Sequence, residues 1–220
     1  MLVRDIMTPN PITIGPESDY LAAIALMRAR KCRHLPVVDQ EKGLVGIITD
    51  YDVRAVRSEG TPKERALLGD GVLVRVREVM TPNVITVPPD FPLEEAAALM
   101  VQHHISCLPV VAEGQVTGII TDTDIFRTLA NMLGGGSQTI RLAVQVDNKP
   151  GQIAALAGRI AAVGGNILSI ASHPASTPDH MRLTLRVESA PLDEVLSAIR
   201  GHLGAIILNV WDQSQTSGEG

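Results

Sequence analysis

The chain has 220 residues, 45% hydrophobic and 20% charged, with a net charge of −5. This is the composition of an ordinary globular protein with enough chain for one large core or two small ones. The negative balance argues against broad attraction to nucleic acid, no charge-free apolar run reaches membrane-span length, and the opening Met1-Leu2-Val3-Arg4-Asp5 does not read as a secretion signal.

In chain order, Ile12-Thr13-Ile14 reads as a short β-branched strand. Residues 17–30 carry Leu21, Ile24, Ala25 and Met27 at helical spacing. Two hydrophobic strands follow, over 34–38 and 44–49, joined by a polar turn that ends in Gly43. A second helix opens at Asp50–Asp52, where acidic residues suit the positive end of the helix dipole. The stretch 58–71 is polar, with a helical turn or two over 62–68.

The same order then recurs: Ile85-Thr86-Val87, a helix over 92–103 with Ala96, Leu99 and Met100, strands over 107–111 and 115–121, and a helix from Asp122. The recurrence is literal. Val3-Arg4-Asp5-Ile6-Met7-Thr8-Pro9-Asn10 returns as Val76-Arg77-Glu78-Val79-Met80-Thr81-Pro82-Asn83. Leu35-Pro36-Val37-Val38 returns as Leu108-Pro109-Val110-Val111, and Gly46-Ile47-Ile48-Thr49-Asp50 as Gly118-Ile119-Ile120-Thr121-Asp122. Units this short bury little alone, so the two copies are expected to pack together and leave a ligand cleft.

After Gly134-Gly135-Gly136-Ser137, read as a flexible hinge, the pattern changes. A strand over 139–147, an Ala-rich helix over 150–163, strands over 167–172 and 181–188, a helix over 192–202 and a last strand over 205–211 make the ferredoxin-like order βαββαβ. The tail 213–220 is polar and expected to be disordered.

Thr49 with Asp52, and Thr121 with Asp124, bring a hydroxyl and a carboxylate to the start of a helix. A carboxylate there can accept both hydroxyls of a ribose, while free amides of the first turn favour phosphate. The same residues serve equally as helix caps. For phosphate, Arg28, Arg30, Lys31 and Arg33 cluster at the end of the first helix, and Arg54 and Arg127 follow the two aspartates. His103 and His104 stand where the basic cluster would be in copy two, so the two sites are expected to differ. No residues have metal-ligand spacing, no nucleophile–base pair stands out, and neither metal binding nor catalysis is expected. Cys32 and Cys107, the only cysteines, fit reduced thiols in the cytoplasm.

The repeated Met-Thr-Pro opening, Leu-Pro-Val-Val strand and Gly-Ile-Ile-Thr-x-x-Asp ending resemble a tandem pair of CBS domains over residues 3–132. The resemblance implies an α+β fold of two packed βαββα units, over 1–60 and 74–133, that binds an adenosine-containing ligand such as AMP, ADP, ATP or S-adenosylmethionine. It places Thr49, Asp52, Arg54, Thr121, Asp124 and Arg127 on ribose and phosphate. Thr13, Ile14, His34, Leu35, Pro36, Thr86, Val87, Cys107, Leu108 and Pro109 would line the adenine pocket.

Asp147-Asn148-Lys149-Pro150-Gly151-Gln152 and Gly164-Gly165-Asn166-Ile167 resemble an ACT domain over 139–212. That likeness implies an amino acid held by Asn148, Pro150, Gly151, Gln152, Ile153, Asn166 and Ile167; the turn, helix-start and glycine-cap needs of the fold account for the same residues. Two CBS units followed by an ACT unit resemble the acetoin-utilisation regulator (AcuB-like) family. This implies a non-catalytic sensor and homodimer, with an adenine nucleotide as regulatory ligand rather than required cofactor, acting on a regulated protein partner, with no nucleic acid or membrane contact. The hinge would carry a nucleotide-driven change of CBS orientation to the ACT unit. The alternative is a structural or interaction protein with vacant clefts.

Overall fold

The computed structural model describes residues 1–41, 43–52, 74–135, 139–202 and 204–212. The predicted helix beyond Asp52, the turns over 62–68, Arg54, Gly136, Ser137 and the tail from Gln213 lie outside the described residues. The chain forms two units, Met1–Phe126 and Arg127–Gly220.

In the first unit, the first repeat contributes β1 (Thr8–Pro9), α1 (Tyr20–Arg30), β2 (His34–Asp39) and β3 (Gly43–Thr49). The second contributes α2 (Val76–Val79), β4 (Thr81–Pro82), α3 (Leu93–His103), β5 (Cys107–Ala112) and β6 (Gln115–Thr121). Helix α1 starts three residues later than its spacing predicts because Asp19 caps it, its carboxylate accepting the Leu21 N–H at 2.9 Å. This shifts the buried stripe to Tyr20, Ala23 and Met27 and leaves Leu21 60% exposed. In α3 the buried stripe is Leu93, Ala96 and Met100. The β5–β6 hairpin closes through Glu113 and Gly114, with φ of 50° and 76°, a two-residue turn whose twist matches the strands. The short strands expected at 12–14 and 85–87 reduce to single parallel bridges, Ile14 to Val37 and Val87 to Val110. Prolines at 11, 16, 82 and 88 remove the N–H groups that a longer ladder needs.

The repeats exchange their openings. β1 pairs with β6 of the second repeat, and β4 with β3 of the first, giving sheets ordered β1-β6-β5 and β2-β3-β4. Val3 lies in the second repeat's core with Val87, Leu108, Val110 and Ile120. Val76 lies in the first repeat's core with Tyr20, Leu35, Val37 and Ile48. The packed bodies therefore do not follow a simple cut of the chain between the repeats.

This exchange explains the two most recognisable repeated words. A Cβ on Gly46 would lie 2.5 Å from Met80 Sδ and 3.0 Å from the Thr81 carbonyl oxygen, and one on Gly118 would collide with Met7 Sδ. Each Met-Thr-Pro methionine covers the glycine of the other repeat's Gly-Ile-Ile-Thr strand. Gly118→Ala is expected to lower stability by about 1–3 kcal/mol, the usual cost of overpacking, through a lower urea midpoint. An unchanged midpoint would mean that Met7 moves aside freely.

The second unit begins within α4 (Asp122–Met132). It continues as β7 (Ile140–Asp147), α5 (Gln152–Ala162), β8 (Asn166–Pro174), β9 (His180–Glu188), α6 (Leu192–Arg200) and β10 (Ile206–Asp212). The sheet order is β10-β7-β9-β8, antiparallel throughout. Alternation along β7 sends Ile140, Leu142, Val144 and Val146 to one face. There they meet Leu156 and Ile160 of α5 and Val195 and Ile199 of α6. Helix α5 starts at Gln152 behind Gly151, whose φ of 87° suits glycine, so Pro150 precedes the cap instead of opening the helix.

The glycine-rich segment is, where described, a helix end instead of a free hinge. The Gly134 and Gly135 N–H groups donate to the carbonyls of Asn131 (2.9 Å) and Ala130 (2.7 Å), closing α4. Gly134 is buried at a φ of 69°, and a Cβ there would lie 2.9 Å from Arg186 Cδ. Arg186 Nη1 also donates to Thr139 Oγ1 at 2.9 Å.

Candidate ligand cleft

The two Thr–Asp pairs have one geometry. In the second repeat the Thr121 N–H and hydroxyl both donate to Asp124 Oδ2, at 3.0 and 2.7 Å, and the Asp124 N–H reaches Thr121 Oγ1 at 3.3 Å. In the first, the corresponding distances for Thr49 and Asp52 are 2.8, 2.7 and 3.3 Å. This is a reciprocal capping box, with Asp replacing the usual Glu or Gln. The capping reading is thus realised, and it also fixes each carboxylate at a helix start, where a ribose would need it.

Around Thr121 and Asp124 lies a cleft of about 400 Å³ to which both repeats contribute. The first repeat supplies Thr8, Asn10, Pro11, Ile12, Arg30, Lys31, Cys32, Arg33 and His34; the second supplies Ile119, Thr121, Thr123 and Asp124. Strand exchange is the cause, because β1 runs beside β6 and brings the following Asn10–Ile12 segment to the second repeat's Thr–Asp pair. Two polar ties join the repeats here. Arg33 Nη2 donates to Thr123 Oγ1 at 3.3 Å and lies 3.9 Å from Asp122 Oδ1, while His34 Nε2 and Ser106 Oγ are 2.9 Å apart. Burial, assisted by the charge of Arg33 and opposed by Asp50, Asp122 and Asp52, holds the His34 imidazole below its ordinary pKa. Burial thus favours the neutral ring at the cleft.

Of the residues expected around adenine or ribose, His34, Thr121 and Asp124 meet here. Leu35 and Leu108 are fully buried in the cores of their own repeats, and Pro36 and Pro109 are buried beside them. Cys107 packs with Ile47 and, behind the cleft wall, with Ile119, and does not itself line the cleft. Ile14 and Val87 are core residues, and Thr13 lines a separate groove with Ser18 and Glu41. Only Ile14 joins a strand, through its bridge to Val37, and it turns into the core of its own repeat; the non-strand segment Asn10–Ile12 just after β1 lines the cleft instead. Thr86 is exposed, and Arg127 is exposed on α4 and absent from the lining. Thr8, Asn10, Pro11, Ile12, Cys32 and Thr123 also line the cleft; for Thr8 to Ile12 the twice-written Met-Thr-Pro-Asn is the signal, but it does not say which repeat receives it, and nothing in the sequence marks Cys32 or Thr123.

The second unit separates the residues expected to hold an amino acid. Asn148, Pro150, Gly151, Gln152 and Ile153 line one cleft of about 640 Å³, and Asn148 and Ile153 border another of about 660 Å³ beside His173 and His180. Asn148 Nδ2 donates to the Pro178 carbonyl at 3.1 Å, and Gln152 Oε1 lies 2.7 Å from His202 Nε2. Asn166 and Ile167 lie at the other end of the sheet. Asn166 is in register with Glu188 and donates to its Oε1 at 2.9 Å, whereas Asp147, next to Asn148, is in register with His180. Eight residues of β9 span roughly 26 Å, so Asn148 and Asn166 of one chain cannot hold the same amino acid.

Among the described residues, no group of three His, Cys, Asp or Glu side chains could hold a metal ion, and no helix is long and apolar enough to cross a membrane.

A family model for the CBS domain matches residues 3–59 and 76–131. Three solved structures are similar at the level of both fold and sequence. The CBS domain pair of protein MJ0100, in complex with 5′-methylthioadenosine and S-adenosyl-L-methionine, is 33% identical with a TM-score of 0.51, covering 59% of this chain and 99% of that one. A protein described as an acetoin utilization protein (AcuB), from Vibrio cholerae, is 36% identical with a TM-score of 0.51, covering 61% and 93%. CBSX2 in complex with AMP, a protein of Arabidopsis thaliana, is 31% identical with a TM-score of 0.50, covering 59% and 96%. Among curated relatives, homoserine O-acetyltransferase of Methanococcus vannielii is 36% identical over 129 residues, 58% of this chain. The chain spans about a quarter of the length of that relative and of the next two matched.

Proposed function

The chain belongs to the CBS domain family, and from that premise we propose that it is a non-catalytic regulatory sensor that binds an adenosine-containing ligand in the cleft beside Thr121 and Asp124. One observation carries the reading: the exchanged strands gather a carboxylate fixed at a helix start, an apolar wall of Ile12 and Ile119 and a basic rim into one cleft of about 400 Å³. Adenine lies against the aliphatic walls, the ribose hydroxyls donate to Asp124, and the ligand bridges both repeats. Structures of similar CBS pairs with adenosine compounds support it.

The second unit is read as an ACT domain on its βαββαβ order and its Asn-x-Pro-Gly turn. Its amino-acid site narrows to the Asn148–Ile153 turn, where the first amides of α5 meet a carboxylate. The domain order, together with the Vibrio cholerae relative, supports an acetoin-utilisation regulator, acting as a cytoplasmic homodimer. The exposed Phe126, Leu129 and Met132 along α4 favour a second reading, an interaction protein whose clefts stay vacant.

The test is thermal unfolding with adenosine, AMP, ADP, ATP and S-adenosylmethionine. A ligand at ~100 times its Kd stabilises the fold by about 2.7 kcal/mol. The shift is expected in the native chain and in Asp52→Ala, and a smaller one, from the Thr49–Asp52 pair alone, in Asp124→Ala. Absence of a shift with every compound would leave the interaction reading.

A further inference from the structure

The two Thr–Asp pairs share one geometry, but the residues at corresponding positions of the opposite repeats differ in charge. Arg30, Lys31 and Arg33 of the first repeat line the cleft around Thr121 and Asp124. The corresponding positions of the second repeat, 73 residues later, are His103, His104 and Ser106. Two guanidinium groups and an ammonium in one setting are replaced by two imidazoles and a hydroxyl in the other.

The basic set is also under-used. Arg33 is engaged by Thr123 and Asp122, but among the described residues neither Arg30 nor Lys31 has an ion-pair partner. Both adjoin the end of α1, where Lys31 is fixed in the left-handed conformation at a φ of 52° and caps the helix. The backbone thus holds the cationic run at the cleft.

We infer that phosphate recognition is confined to the Asp124 cleft, where Arg30, Lys31 and Arg33 of the first repeat select a phosphorylated adenosine ligand, and that the Asp52 pair accepts adenosine compounds without preference for phosphate. This rests on the reading of the clefts as adenosine sites and adds which cleft reads the phosphate and with which residues. A charge-assisted hydrogen bond from guanidinium to phosphate contributes more than a neutral one, so each engaged phosphate separates nucleotide from nucleoside. Arg33 has a further role. A phosphate that takes its guanidinium competes with Asp122 and Thr123, so binding loosens one of the two polar ties between the repeats.

Calorimetric titration of adenosine, AMP and ADP into the full chain tests the inference. Asp52→Ala isolates the Asp124 cleft and Asp124→Ala isolates the other. Expected are AMP or ADP binding about 10- to 100-fold tighter than adenosine in Asp52→Ala, and equal binding in Asp124→Ala. In Asp52→Ala, adding Arg30→Gln, Lys31→Gln and Arg33→Gln should remove the nucleotide preference, so that AMP and ADP bind no tighter than adenosine. Arg30→Lys with Lys31→Arg, which keep the charges, should retain most of it and show that the fold tolerates change there. Adenosine binding as tightly as ADP in Asp52→Ala would overturn the inference and leave the adenosine reading standing. Failure of all three compounds to bind would overturn both.

Discussion

Val3→Asp is expected to unfold the second repeat, not the first in which it is written. Val3 is fully buried among Val87, Leu93, Ala96, Met100, Leu108, Val110 and Ile120. Its N–H donates to the Phe91 carbonyl at 2.9 Å, the Arg4 N–H to that of Pro89 at 2.8 Å, and Leu93 returns a bond to Met1 at 3.1 Å. An aspartate placed there leaves a carboxylate without a partner in an apolar core, at a cost of about 4 kcal/mol or more. Hydrogen exchange should show protection lost first in β5 and β6.

The mirror variant locates the effect. Val76→Asp strikes the corresponding zipper, in which Tyr20 donates to Val74, Val76 to Ser18 and Arg77 to Pro16, at 2.9, 2.9 and 3.0 Å. Its damage should appear first in β2 and β3. Equal loss in both sheets for both variants would show that the repeats unfold as one cooperative body and would remove the reciprocal pattern.

Which parts of this were legible in the sequence follows from how local each interaction is. Hairpins and helices are set by residues within about a dozen positions, so alternation around Leu35-Pro36-Val37-Val38 and the glycines at 43 and 114 located β2, β3, β5 and β6. The Thr–Asp pairs were legible for the same reason, because a capping box spans only three residues. Exchange of the openings was not. Two near-identical words, Met-Thr-Pro and Gly-Ile-Ile-Thr, fit each other equally well within a repeat or across repeats, and only chain geometry decides. Without the exchange, the motif points to Thr13 and Ile14, whereas Asn10 and Ile12 line the cleft. Leu35 and Leu108 illustrate a second limit: a motif names a segment, while the pleat decides which of its side chains reach the cleft. Asn148 and Asn166 illustrate a third, since both flank α5 in the chain yet register with opposite ends of β9.

Cys107 supplies the other large effect, and it appears under alkali. Its thiol is buried with Ile47 and Ile119 where the two repeats meet. Burial, with smaller contributions from Asp122 and Asp52, raises its pKa from 9.0 to about 12. A folded pKa above the unfolded value means that the unfolded chain releases the proton first as pH rises. The stability held by the neutral thiol is therefore fully present below pH 9.0 and is lost between there and about pH 12. Each pH unit in that window costs about 1.4 kcal/mol, so at about pH 11 the loss reaches roughly 3 kcal/mol. Tyrosines and lysines also titrate in this range, so the readout is a difference in slope between variants. Cys107→Ala is expected to have lower stability at neutral pH, because it leaves a cavity, but a flatter fall above pH 9.0 in urea denaturation. Cys32 is only partly buried, and its thiol is raised by desolvation against a backbone hydrogen bond that lowers it, so Cys32→Ala should change the slope less. Parallel alkaline slopes for the native chain and Cys107→Ala would mean that water reaches this thiol and that the contact between the repeats opens well before the protein unfolds.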